Sequence, residues 1–155
     1  MNIKVLEIAL SKKELAVVPL GNRLYKLCED FEVCVKTDNG TFVYKFKKGF
    51  VTNFRSGGQV VDRFVDQIGS SVFVQVSWLI HDAAYTPCES CHGAHPISRE
   101  LADRLLRETL ICAGFGAFKS GLVYYAVRAG GRSAYEEDDE LTAENSKLFS
   151  FELAA

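Results

Sequence analysis

The stretch FEVCVKTDNGTFVYKF, residues 31–46, most constrains what this chain can fold into. Apolar and polar positions alternate on both sides of Asp38-Asn39-Gly40. Successive side chains of a strand point to opposite faces. Phe31, Val33 and Val35 therefore share one face, and Phe42, Tyr44 and Phe46 share one face of the partner strand. Asn-Gly supplies the positive φ angles of a tight hairpin turn. Residues 14–27, ELAVVPLGNRLYKL, give one further strand ahead of the hairpin.

From about Ser71 the period changes. At roughly 100° per residue, Phe73 to Tyr85 is apolar nearly all round, the pattern of a buried helix. Its polar members are Gln75, Ser77, His81 and Asp82. VFVQV, residues 72–76, reads equally well as a strand entering that helix. Ser98 is a good N-cap for a second helix reaching about Ala113. Leu101, Leu105, Leu106, Leu110 and Cys112 form its apolar arc, with Arg99 inside the arc and Asp103 at its rim. A third helix spans about Phe115 to Ala129 and stops at Gly130-Gly131. Residues 49–70 read as a loop with short pieces of structure, in which Gly57-Gly58 permits a sharp bend or a close approach to a ligand.

The expected architecture is α+β, with an N-terminal antiparallel hairpin and sheet packed on a three-helix C-terminal half. Residues 1–133 form the single domain. Residues 134–155 are an acidic linker, EEDDE, followed by an apolar tail, SKLFSFELAA, that docks on its own domain or on a partner.

The 155 residues are 48% hydrophobic and carry a net charge of −2. That balance excludes nucleic-acid binding driven by bulk positive charge. No apolar run approaches the roughly 18 residues of a membrane span, so no transmembrane segment is expected. The N-terminus lacks the apolar core and cleavage site of a signal peptide, which reads as an unexported chain. Five cysteines without framework spacing suit reduced thiols.

The chemistry concentrates in WLIHDAAY, residues 78–85. Residues one helical turn apart share a face, so His81 neighbours Tyr85 while Asp82 points about 100° away. A buried charge needs a partner. Asp103 and Arg99, one turn apart on the next helix, are the candidates, completing a candidate catalytic set of His81, Asp82, Tyr85, Arg99 and Asp103. A histidine held by a carboxylate and a tyrosine hydroxyl has a fixed tautomer and suits a general base. A carboxylate facing away from it suits a hard cation such as calcium. The same groups equally make a buried polar network that only fixes the register of two helices.

His-Asp-x-x-Tyr followed by Ala-Asp on the next helix is similar to the active core of phospholipases A2, most of all the short version in parvovirus capsid proteins. The resemblance implies that His81 activates water, Asp82 binds calcium, and Tyr85 and Asp103 orient His81. The calcium loop of those enzymes reads Tyr-x-Gly-x-Gly; FRSGGQ, residues 54–59, is glycine-rich without matching it.

A second likeness covers more of the chain. GFVTNFRSGG, HDAAY, RELAD and YYAVRAGG occur in that order between about residues 30 and 131. This series resembles the domain-of-unknown-function family 1353 of tailed phages. Asn53 stands where that family has Asp, and Gly58 where it has Pro. The likeness implies a phage-encoded protein of the host cytoplasm or the virion. The expected function is a hydrolase-like His/Asp site acting on an ester or lipid. The alternatives are a non-enzymatic head or tail accessory protein and an inhibitor that binds a host factor. Partners would be other phage structural proteins or a host protein, met through the C-terminal tail.

CESCHGAH, residues 88–95, adds a second cluster. Cys88, Cys91 and His95 (or His92) could supply three ligands to zinc, with a fourth from elsewhere. A surface loop with incidental thiols, or a Cys88–Cys91 redox pair, fits the same residues. CESCH also spells the c-type haem attachment string, which needs export.

Overall fold

The computed structural model describes residues 2–22, 24–53 and 71–154. Seven strands and five helices follow one another among them. A four-stranded antiparallel sheet has the order β1-β4-β5-β7, from β1 (Val5–Leu10), β4 (Phe31–Thr37), β5 (Gly40–Phe46) and β7 (Phe149–Ala154). A three-stranded sheet has the order β2-β3-β6, from β2 (Val17–Gly21), β3 (Leu24–Leu27) and β6 (Val51–Thr52). The helices are α1 (Val72–Ala84), α2 (Arg99–Cys112), α3 (Ala117–Gly130), α4 (Arg132–Tyr135) and α5 (Glu140–Asn145). The fold is α+β, with the sheets N-terminal and the three long helices C-terminal.

The hairpin forms in the expected register: Phe31 faces Phe46, Val33 faces Tyr44 and Val35 faces Phe42. All six are buried. The turn differs in detail. Gly40 has φ +122° and Asn39 is not in the positive-φ region, so the loop residues are Asp38 and Asn39. The Thr37 hydroxyl donates to Gly40 O at 2.7 Å and accepts the Asn39 N–H at 3.1 Å, bracing the turn.

Two strands escape the alternation rule. β1 pairs with β4 across a register shift between Val5 and Glu7, and a bulge of this kind breaks the period of two. Residues 14–27 hold two strands instead of one: Gly21 at φ +82° and Asn22 at φ +51° turn β2 back into β3. Pro19 is tolerated because β2 lies at the sheet edge.

VFVQV belongs to the helix. α1 is apolar all round because it touches three groups of neighbours. Val76, Leu79, Ile80 and Ala83 pack on the four-stranded sheet. Val74 and Trp78 meet Leu106, Leu110, Val123 and Val127 of α2 and α3. Ala84 and Tyr85 meet Ala102. Ser98 caps α2 as expected, its side chain accepting the Leu101 N–H at 3.2 Å.

Residues 134–154, within the stretch expected as linker and tail, form two helical segments and a strand. Asp139 caps α5 by accepting the Thr142 N–H at 2.8 Å. β7 then completes the sheet against β5, pairing Phe149 with Phe46 and Phe151 with Tyr44. The tail docks on its own domain because Phe149 and Phe151 extend the apolar face that the hairpin begins. Gly57-Gly58 lies outside the described residues. Among the described residues, no helix is long and apolar enough to cross a membrane.

Candidate functional site

α1 and α2 lie side by side, and their polar residues meet at the contact. His81 Nε2 is 2.8 Å from Asp103 Oδ1. The Tyr85 hydroxyl donates to the same oxygen at 2.6 Å. Arg128 Nη1, from α3, donates to Asp103 Oδ2 at 2.9 Å. The side chains of His81 and Asp103 have no exposure, and that of Arg128 is 32% exposed. Tyr85 holds the carboxylate rather than the imidazole; its ring packs on that of His81 at 4.2 Å between centroids.

These contacts settle the charge of Asp103. Burial alone pushes its carboxyl up. The hydrogen bond and charge of His81, with the hydrogen bonds of Tyr85 and Arg128, outweigh burial and hold the carboxyl below its ordinary value. Burial and the Asp103 carboxylate push the Tyr85 hydroxyl well up, against the adjacent Arg99 guanidinium, so it stays a donor. An ionised carboxylate only accepts. Nε2 of His81 therefore carries the hydrogen, and in neutral imidazole Nδ1 carries the lone pair. Nδ1 is buried and, among the described residues, has no hydrogen-bond partner.

Arg99 was expected, together with Asp103, as a partner for the buried groups of α1. Its Nη2 instead donates to Val127 O at 3.0 Å and Arg128 O at 2.6 Å. A guanidinium suits these carbonyls at the C-terminal end of α3. Arg99 thereby fixes the end of the helix that delivers Arg128.

Asp82 faces away from Asp103, as the helical angle requires. Its Oδ2 accepts the Thr52 hydroxyl and, at 3.2 Å, the Asn53 N–H. It lines a cleft shared with Asn53, Tyr85, Thr86, Glu137 and Asp139. His81 is not among the lining residues; Tyr85 borders the cleft and reaches Asp103 with its hydroxyl.

Among the described residues, no group of three or more His, Cys, Asp or Glu is placed to hold a metal ion. For calcium, the Asp82 oxygen is engaged by Thr52 and Asn53, and residues 54–59 lie outside the described residues. For zinc, His95 is turned away: its Nε2 meets Tyr135 O at 2.7 Å and its ring stacks on Tyr135 at 3.8 Å. Cys88 is buried against Ser90 and the Phe149 carbonyl.

Three contributors go beyond the residues picked out as catalytic. Arg128 entered the sequence reading only as a member of YYAVRAGG. Thr52 had no assigned role. Gly131 was expected only as a helix stop, yet a Cβ there would stand 2.6 Å from the Tyr85 hydroxyl oxygen. The signal for all three is their membership in the ordered motifs. GFVTN brings Thr52 and Asn53 to Asp82. RELAD and YYAVRAGG bring Asp103, Arg99, Arg128 and Gly131 around His81 and Tyr85.

An α+β domain in which HDAAY, RELAD and YYAVRAGG meet around one buried His–Asp pair, with Thr52 and Asn53 beside Asp82, defines the class. The family described as "Protein of unknown function (DUF1353)" matches residues 25–127. The chain belongs to that family. No curated protein and no solved structure matches it.

Proposed function

We propose that the protein is a small hydrolase, phage-encoded, in which His81 is the general base for attack of water on an ester or a lipid. One observation carries this reading: Nε2 of His81 is fixed on Asp103 while Nδ1 is left with a lone pair and, among the described residues, no partner. A general base needs that division of labour between its two nitrogens. Asp103 sets the tautomer and stabilises the imidazolium formed when His81 takes a proton from water. Tyr85 and Arg128 keep the Asp103 carboxylate charged and in place. The cleft beside Asp82 and Tyr85 is the space nearest the pair for a substrate.

The test is turnover of nitrophenyl esters of short and long acyl chains, and of phospholipid vesicles, with calcium and with chelator. His81→Ala should lower the rate by roughly 100- to 10,000-fold while circular dichroism shows an unchanged fold. No turnover by the wild type on any of these substrates, or equal rates in the variant, would overturn the reading.

One observation favours a second reading: the His81 side chain has no exposure at all. On that reading the protein is a virion or assembly component of a tailed phage, and the polar network only fixes helix register. A structural partner would then meet the outer edge of β7, the last strand of its sheet. Copurification with particles, unaffected by His81→Ala, distinguishes it from the enzyme.

A further inference from the structure

The C-x-x-C turn takes no part in the His–Asp site. Glu89–Cys91 form a 3-10 turn that opens at Cys88. The Cys91 and Gly93 N–H groups both donate to Cys88 O at 3.0 Å, and the Cys88 N–H donates to Ala94 O at 2.9 Å. An i to i+3 turn keeps its end Cα atoms within about 7 Å, and a disulfide spans about 4.4–6.8 Å between Cα atoms. Cys88 is wholly buried and Cys91 is half-buried. Cys88 Sγ also lies 3.0 Å from Ser90 Oγ and 3.7 Å from the Phe149 carbonyl, to which it donates. The turn grips the chain just ahead of β7 as well: the Glu89 N–H donates to Ser146 O at 3.0 Å.

We propose that Cys88 and Cys91 are a dithiol modification site, closed to an intramolecular disulfide by a small-molecule disulfide, and that closure loosens the start of β7. Cys91, the accessible thiol, attacks the reagent as its thiolate. The reagent's S–S bond breaks, a mixed disulfide forms on Cys91, and the first leaving thiolate takes the proton Cys91 gave up. Cys88 then attacks the Cys91 sulfur, and the second leaving thiolate takes the Cys88 proton. One reagent disulfide becomes two thiols, and the two cysteines give up two electrons. Burial and the neighbouring Cys88 thiol push the Cys91 thiol up, so the first step is slower than for a free small thiol. The closed pair has no S–H, so the Phe149 carbonyl loses its donor.

The full chain is incubated with oxidised glutathione, then alkylated and mapped by mass spectrometry. In the wild type Cys88 and Cys91 should both become unavailable to alkylation, joined by one bridge, whatever adducts form on the other cysteines. Cys88→Ser should stop at a glutathione adduct on Cys91. Cys91→Ser, at the half-buried position, should keep its fold and leave Cys88 unmodified. A wild type that stops at the Cys91 adduct, or whose Cys88 and Cys91 both stay alkylatable while exposed Cys112 reacts, would overturn the site. Amide exchange across Phe149–Ala154 should be faster in the oxidised chain than in the reduced one. Equal exchange would overturn the link to β7.

Discussion

Arg128 Nη1 lies 2.9 Å from Asp103 Oδ2, on the carboxylate oxygen opposite the one that meets His81. The two oxygens of one buried side chain thus join three helices, α1 through His81 and Tyr85, α2 through Asp103 itself, and α3 through Arg128. The pair reads as a clamp whose strength depends on the carboxylate staying charged.

That dependence sets a pH response. Asp103 is held below its ordinary value of 3.8 in the folded chain. Its contribution to stability is therefore complete above that value and is lost as pH falls from there through the folded value. Thermal melts between about pH 6 and about pH 3 should show the wild type losing stability toward acid. Asp103→Asn should begin lower and fall less steeply. Parallel slopes in the two proteins would refute the assignment.

Gly131 and Tyr85 are coupled by contact. A Cβ at Gly131 would meet the Tyr85 hydroxyl oxygen and the Val127 carbonyl, each at 2.6 Å. Forcing an extra methyl into such a space costs about 1–3 kcal/mol. Tyr85→Phe removes a hydrogen bond to a charged group, about 1.5–3 kcal/mol. In urea titrations the double variant should be less destabilised than the sum of the two singles, because the phenyl ring frees one of the two crowded contacts. Strict additivity would rule out this coupling.

Tyr44 should respond in the opposite direction. Its hydroxyl is buried with no hydrogen-bond partner. An unsatisfied buried polar group costs about 1–3 kcal/mol, so Tyr44→Phe should raise stability, by about 1 kcal/mol. A lower melting temperature in the variant would mean that the hydroxyl has a partner after all.

Phe149 anchors the last strand. It is 3% exposed and packs on Phe46 and Phe50. Phe149→Ala should cost about 3–5 kcal/mol, measured by denaturant unfolding. A loss under about 1 kcal/mol would show that β7 adds little to the sheet.

Much of this architecture was legible in the residues. The hairpin register followed from Phe31, Val33 and Val35 against Phe42, Tyr44 and Phe46, because period-two alternation survives wherever one face is buried. A helical turn and the need to partner a buried charge left Asp103 and Arg99 both open as partners of His81, and it was the phospholipase resemblance that singled out Asp103. Two strands stayed hidden because a bulge in β1 and the turn at Gly21-Asn22 interrupt their alternation. The role of Arg99 was misplaced because spacing within α2 says nothing of carbonyls arriving at the end of α3. The apolar tail was ambiguous for a similar reason: Phe149 and Phe151 declare an oily face, but only the open side of β5 declares where it goes.

The pairing of β5 with β7 also orders events during synthesis. β4 and β5 leave the ribosome early and can close their hairpin at once, whereas the outer hydrogen-bonding side of β5 has to wait until residues 149–154 emerge. For that interval the nascent chain presents an unpaired strand flank beside a row of aromatic rings, the kind of surface on which growing chains adhere to one another.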